Sequence, residues 1–405
     1  MPAVKKYRAG THRTLPPAET VRRAMRLAPV MGITRVANVT GLDDIGVPVV
    51  TVTRPNSRSI AVTQGKGIDL QAAKASGLME SVEAYHAETI TLPLRYCSLD
   101  ELRFGHRVVD LDLLPAVATS PFHPNMRLLW CQGRDLLSDE PVFVPYELVH
   151  TDYTWPQPPG SGCFAGSSNG LASGNHRLEA ISHAICEVVE RDSMSLWRLR
   201  GSDEQIARAV DAATVDDAAC RDVLDRFARA GLAVAIWDTT TDIGIASFLC
   251  AIFQPDDDPA RPLPPSAGAG CHPSRAIALL RALTEAAQSR LVRISGSRDD
   301  IGRRLYARHR DDVSLAALRG QMHNPKPRRF QEAPDWECDT LDGDVNWELG
   351  RLKQGGVSEV IALDLTKEFF DLPVVRIVIP GLEGIQEIPG YVPGRRAREL
   401  AAIRA

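Results

Sequence analysis

The 405-residue chain lacks the marks of several common protein classes. No run of about 18 apolar residues occurs, which argues against a membrane-spanning helix. The eight cysteines, at 97, 131, 163, 186, 220, 250, 271 and 338, form no CxxC pair, so zinc-ribbon spacing is absent. The opening stretch MPAVKKYRAGTHR has no apolar signal core. These absences predict reduced thiols in a cytoplasmic protein. Lys and Arg number 47 against 51 Asp and Glu, for a net charge of −4. No positive excess is available for nucleic acid or an anionic membrane surface. Tandem repeats of 20–50 residues are absent, and so is the GxxxxGK[ST] spacing of a P-loop.

What remains is an ordinary globular composition, 44% hydrophobic and 24% charged, with enough apolar residues for a sizeable core. Residues 16–31 read as a short amphipathic helix opened by two prolines. ITRVANVTG and VPVVTVTRP are β-branched stretches separated by LDDIG, which predicts paired strands. SIAVTQGKGID reads as a strand running into a glycine-rich turn. Helices are expected over about 71–90, 177–198 and 274–294. Further strands are expected in MRLLWCQG, EPVFVPYELV, LAVAIWDTT, DIGIASFLCAIF, SEVIALDLT and LPVVRIVIPG. WPQPPGSG (155–162) reads as a surface loop or subdomain junction near 155–165, and DDDPARPLPP as an exposed loop. The polar, basic stretch 310–340 reads as irregular or mobile. Helices alternating with β-branched strands predict an α/β (α+β) fold with mixed sheets. The expected organisation is one unit over 1–405, with a core over 60–380 and a tail over 381–405.

Three of these helices carry carboxylates in patterned positions. At about 100° per residue, Ser76, Glu80 and Glu83 fall within about 60°, with Leu78, Val82 and Tyr85 opposite. In the second helix Glu179, Glu187 and Glu190 lie within about 80°, with His183 among them and Arg191 beside them. Ile181, Ala184, Ile185 and Val188 take the core side. No lysines intersperse that acidic face at the spacing of a solvated helix. The third helix places Arg281, Glu285 and Gln288 together, whereas Arg290 lies about 140° from Glu285.

Several carboxylates facing one cavity repel each other unless cations fill the gap. Magnesium takes oxygen ligands and commonly bridges protein carboxylates to nucleotide phosphates, and arginines or a lysine meet the remaining phosphate charge. The residues alone therefore reach a metal–nucleotide site. Gln64-Gly65-Lys66-Gly67, just before the first acidic helix, adds a cation and backbone donors at a place that favours phosphate.

The sequence resembles the YcaO family through most of its length. The matching motifs are Ser76–Glu80–Glu83, Glu187–Glu190–Arg191 and Glu285–Gln288–Arg290, with supporting text in GITRVANVTGLDDIGVPV, RPN (54–56), GKG (65–67) and ISGSRDD (294–300). The resemblance implies ATP and Mg2+ as cofactors for activation of a peptide-backbone amide. It assigns magnesium to Glu80, Glu83, Glu187 and Glu190. Arg191, Gln288 and Arg290 would contact the nucleotide, Ser76 and Glu285 would orient it, and Lys66 would meet its phosphates. Arg8, Thr11 and Arg13 match a basic and hydroxyl group near the phosphates, and His272 is a candidate proton carrier. VVRIVIPGLEG and YVPGRR resemble members that work beside a TfuA-type protein and form thioamides from a sulfide source. An azoline-forming cyclodehydratase is the nearest alternative, and a non-catalytic nucleotide-binding scaffold the alternative of another class. A ribosomal precursor peptide or protein is the implied substrate, and a homodimer the implied assembly.

Overall fold

The computed structural model describes residues 2–255, 263–298, 326–386 and 388–402. Residues 256–262 of the acidic, proline-rich loop, 299–300 of ISGSRDD and 310–325 of the basic stretch lie outside the described residues.

The chain opens with α1 (Pro17–Met31), which has proline in its first turn and closes on Gly32 in the left-handed region, at φ 70°. Strands β1 (Arg35–Asn38), β2 (Val49–Thr53) and β3 (Val62–Lys66) form an antiparallel sheet. Then come α2 (Leu70–Glu88), β4 (Leu94–Ser98), the short α3 (Leu99–Leu102), β5 (Arg127–Asp135), β6 (Pro141–Pro145) and β7 (Leu171–Ser173). They are followed by α4 (Arg177–Leu199), α5 (Ser202–Ala207) and α6 (Ala218–Arg229). A second antiparallel sheet joins β8 (Ala233–Asp238), β9 (Ser247–Phe253) and β10 (Ser266–Cys271). The chain continues through α7 (Arg275–Ser295), α8 (Leu341–Gln354), β11 (Ile361–Asp364), β12 (Val374–Val378) and α9 (Arg395–Ala402). A third sheet runs β4-β5-β11-β12-β7, with β6 on β5. Every pairing of named strands is antiparallel, so the fold is mixed α/β of the α+β kind. Residues 155–165 run between β6 and β7, two strands of that third sheet.

The helices expected from periodicity form within two residues of their predicted bounds, and the apolar faces are inside. Leu78 and Val82 of α2, and Ile181, Ala184, Ile185 and Val188 of α4, are all buried. Helix α2 opens on Asp69, whose side chain accepts from the Ala72 N–H at 2.8 Å.

Three differences matter. The GKG segment is not a turn: Gly65 and Lys66 belong to β3, paired with Val50 and Val49. Asp69, which caps α2, already takes the Ala72 N–H of that helix start. Gly65 serves close packing, because a Cβ there would meet the Ala73 carbonyl oxygen at 2.0 Å and the Gly77 nitrogen at 2.2 Å. Part of the supposedly irregular stretch is anchored, with Phe330 1% exposed and Trp336 stacked on Trp347 at 5.5 Å. Finally, α6 and α8 form where the sequence reading expected no helix.

Packing around α2, α4 and α7 sets up the site. Helix α2 lies on β3 and β7, α4 on β7, β12 and β10, and α7 on β10 and β3. Helices and strands thus alternate around one closed ring. Helix α7 reaches β10 closely because Gly268 and Gly270 carry no side chain. A Cβ on Gly268 would meet the Ala286 nitrogen at 2.3 Å, and one on Gly270 the Ala278 oxygen at 2.1 Å. The Arg54 of RPN is structural. Its Nη2 donates to Glu88 Oε2 at 2.7 Å and its Nε to the Met31 carbonyl at 3.1 Å, with both side chains buried.

Candidate nucleotide and metal site

Each strand of that ring fixes a carboxylate of the helix packed on it. The Gln64 N–H of β3 donates to Glu80 Oε2 at 3.2 Å. The Ser173 N–H and Oγ–H of β7 donate to Glu83 Oε1 at 2.8 and 2.7 Å. The Ala269 N–H of β10 donates to Glu285 Oε1 at 3.3 Å. Close glycine packing is what brings these backbone donors within reach. Lys66 Nζ bridges the ring by donating to Glu285 Oε2 at 2.6 Å, which joins β3 to α7. On α4, Arg191 donates to Glu190 Oε1 at 3.0 Å.

Electrostatics tie these groups into one cluster. Burial pushes Glu83 up to about 8, helped by the neighbouring charges of Glu187 and Glu80 and opposed by Ser173. Burial also pushes Glu187 up to about 7, against Arg191 and with Glu190. Glu80 and Glu190 are raised too, chiefly by burial. Glu285 goes the other way: burial would raise it, but Lys66 and Arg191 hold it below its ordinary value. The site is thus four proton-hungry carboxylates from α2 and α4 facing one satisfied carboxylate on α7.

That donor set fits magnesium with a nucleotide. The ligands are all oxygen, and carboxylates displaced upward by burial and mutual repulsion gain most from a divalent cation. Among the described residues no three His, Cys, Asp or Glu side chains converge to hold a metal by themselves. The cationic side comes from Lys66, Arg191, Arg13 and Arg281. Arg13 is half-buried and lies close enough to feel Glu179, Arg281 and Glu83. The N-terminal segment is pinned there by Glu179, which accepts from the Thr14 N–H, from Thr14 Oγ at 2.6 Å and from the Asn175 N–H at 2.8 Å. Glu179 therefore serves as an anchor, apart from the other two acids of its face.

The remaining candidates are distributed unevenly. Ser76 and Gln288 are half-buried, one turn from Glu80 and Glu285 on the same helix faces. His272 is 4% exposed and accepts from the Ser274 N–H at its Nδ1, at 3.0 Å. It sits edge-on to His12 at 5.3 Å, and burial together with Arg281 keeps it uncharged. Thr11 is half-buried in the N-terminal segment. Arg8 is at the surface, with Nη2 on Asp339 at 2.7 Å. Arg290 points away from Glu285, as the 140° offset predicts. Its Nε faces Asp43 Oδ2 at 3.6 Å, in a separate cavity of about 280 Å3 lined also by Leu232 and Ile294.

Sequence reasoning missed two cations. Arg281 was placed on the right face without a role; it donates to the Cys271 carbonyl at 3.1 Å and its charge reaches Glu190 and His183. Arg376 of β12 is 2% exposed beside Glu187. Its signal was a lone charge inside the apolar run VVRIVIPG.

Known proteins place this geometry. A family model described as YcaO cyclodehydratase, ATP- and Mg2+-binding, matches residues 64–383. An uncharacterized protein in the tfuA 3′ region of Rhizobium leguminosarum bv. trifolii is 38% identical over 381 residues, 92% of this chain and 88% of the relative. YcaO from Methanopyrus kandleri bound with AMPPCP and Mg2+ superposes with TM-score 0.75 at 22% identity, covering 96% of this chain and 98% of that one. A heterocyclase in complex with substrate and cofactor superposes with TM-score 0.77 at 22% identity; this chain spans 54% of its length. No helix among the described residues is long and apolar enough to cross a membrane. The matched family model covers most of the chain, including all four raised carboxylates and Lys66, and the chain therefore belongs to the YcaO family of ATP- and Mg2+-binding, peptide-modifying enzymes.

Proposed function

We propose that this enzyme replaces the oxygen of a peptide-backbone amide by sulfur, with hydrosulfide as nucleophile and a TfuA-type protein as partner. The observation that carries the choice of sulfur is the 38% identical relative in a tfuA 3′ region. ATP supplies a phosphoryl group that turns amide oxygen, a poor leaving group, into phosphate. Overall, amide, hydrosulfide and ATP give thioamide, ADP and hydrogen phosphate, with the hydrosulfide proton ending on phosphate.

In this reading Glu80, Glu83, Glu187 and Glu190 hold magnesium. Arg13, Lys66, Arg191 and Gln288 meet the phosphates, and Ser76 and Glu285 orient the nucleotide. His272, kept neutral by its surroundings, carries a proton. Arg8, Thr11 and Arg290 are assigned to the nucleotide by family resemblance alone. The substrate is a ribosomal precursor peptide or protein, and the working assembly is a homodimer.

The deciding experiment incubates the enzyme with candidate peptides, ATP, magnesium and sulfide, with and without the TfuA-type partner. Mass spectrometry then reads the product. A thioamide gains the mass difference between sulfur and oxygen. Loss of one water instead identifies an azoline-forming cyclodehydratase, the reading favoured by the family description. If calorimetry detects no binding of ATP with magnesium, the enzyme reading loses its base.

A further inference from the structure

Arg376 is an unusual residue for the middle of a buried strand. It pairs with Leu171 of β7 in the sheet register, and its side chain lies on the face opposite Val375 and Ile377, which pack on α4. One nitrogen is engaged, Nη2 donating to the Ser167 carbonyl at 2.6 Å. Nε and Nη1 are buried with no partner among the described residues. A buried guanidinium keeping two idle donors is costly, and such a cost is retained where a ligand will repay it. Arg376 stays charged near neutrality, since burial lowers it only to about 10.

Its neighbours narrow the ligand. Glu187 lies near enough for each charge to act on the other, yet the two form no ion pair, so Arg376 is not neutralised by the acidic site. His150 also feels the Arg376 charge and is kept uncharged mainly by burial. His150 Nδ1 accepts from the Asp152 N–H at 3.2 Å, so in the neutral ring the proton sits on Nε2. That Nε2–H is likewise buried and unpartnered among the described residues. Tyr153, 48% exposed and close to Arg376, stands on the solvent side. The idle atoms of Arg376 and His150 are therefore all donors. Such a set suits an oxygen acquiring negative charge and offers nothing to an amine.

We propose that Arg376, with His150 Nε2–H, forms the oxyanion pocket that receives the substrate's amide oxygen. The inference rests on the amide-activation reading above. When a nucleophile bonds to the carbonyl carbon, the carbonyl π pair moves onto oxygen, and these donors stabilise the charge that arrives there. They also hold that oxygen beside Glu187, on the edge of the proposed metal–nucleotide site. A peptide entering the pocket displaces Tyr153.

The test uses the full-length protein and a defined probe, a short Ala-Gly peptide analogue with a phosphinate in place of the amide carbonyl. The phosphinate carries the tetrahedral geometry and the negative oxygen of the adduct. Calorimetry measures the probe and, separately, AMPPCP with magnesium, on wild type, Arg376→Gln, Arg376→Lys and His150→Phe. The expected result is probe affinity at least about tenfold weaker in R376Q, as for loss of a charge-assisted hydrogen bond, with R376K and H150F intermediate. Nucleotide affinity stays within about twofold in all three, which a merely structural role would not predict. If R376Q melts before it can be measured, R376K carries the comparison, because it keeps the charge and loses the fork. Equal probe affinity in wild type and variants, or no probe binding to wild type, overturns the pocket. Loss of nucleotide affinity along with probe affinity also overturns it, by moving Arg376 to the nucleotide. Failure of wild type to bind the nucleotide would sink the amide-activation reading itself, an outcome distinct from the others.

Discussion

Glu187→Gln should stabilise the metal-free protein while abolishing its function. Glutamine is close in shape to the protonated acid, and burial pushes the wild-type carboxyl from its ordinary 4.5 to about 7. A carboxyl raised in the folded state contributes stability that is complete below the unfolded value and lost as pH rises through the folded one. Wild type therefore loses stability between about pH 4.5 and 7, and E187Q does not. The displacement corresponds to roughly 3 kcal/mol at about 1.4 kcal/mol per pH unit, and the half-open side of the site reduces it to about 1–2 kcal/mol through solvent screening. In a chain of this size, that amounts to a melting temperature about 1–2 °C above wild type at pH 8. At pH 5 the two proteins should melt together. The assay is thermal unfolding in chelator over pH 5–8, repeated with ATP and magnesium. Added magnesium nucleotide should raise wild type and leave E187Q unmoved. A variant that melts below wild type at pH 8, or by the same margin at every pH, refutes the account of Glu187 as a repelled, cation-seeking acid.

Three other substitutions probe the scaffold and the cluster. Gly65→Ala puts a methyl group 2.0 Å from the Ala73 carbonyl oxygen, so β3 must part from α2. Urea unfolding should show a loss of about 1–3 kcal/mol or more, and nucleotide affinity should fall as the Gln64 N–H leaves Glu80. Lys66→Met removes the cation on Glu285, and calorimetry should find magnesium–ATP binding about tenfold weaker with folding retained. Arg54→Met leaves Glu88 buried without its partner and should cost about 3–5 kcal/mol in urea unfolding, while the further change Glu88→Gln recovers much of it.

How much of this was legible in the residues depends on the range of the interaction that carries it. The acidic faces of α2 and α4 arise from i, i+3 and i+4 spacing, which a helix turns directly into a shared surface, so Glu80, Glu83, Glu187 and Glu190 were readable as a set. The same periodicity separated Arg290 from Glu285, and the structure sends that side chain to Asp43. Glu179, although on the acidic face, is claimed by Thr14 and Asn175, and no spacing rule announces a partner 165 positions away. The backbone donors at Gln64, Ser173 and Ala269 were invisible for the same reason: every residue has an N–H, and only sheet register decides which one meets a carboxylate.

The glycines show how a local signal can be read correctly as special and still be given the wrong cause. GKG was noticed as a phosphate-binding turn, whereas Gly65 lies in a strand and allows α2 to approach it. The two roles are nevertheless linked. Without that close approach the Gln64 N–H would not reach Glu80, and Lys66, the next residue but one, would not span the ring to Glu285. Gly268 and Gly270 do the corresponding work between β10 and α7, where Ala269, the residue between them, donates to Glu285. Tight backbone packing on both sides is thus what converts two separate helix faces into one electrostatic site. A change that loosened either contact by one methyl group would reach the chemistry without touching a charged residue.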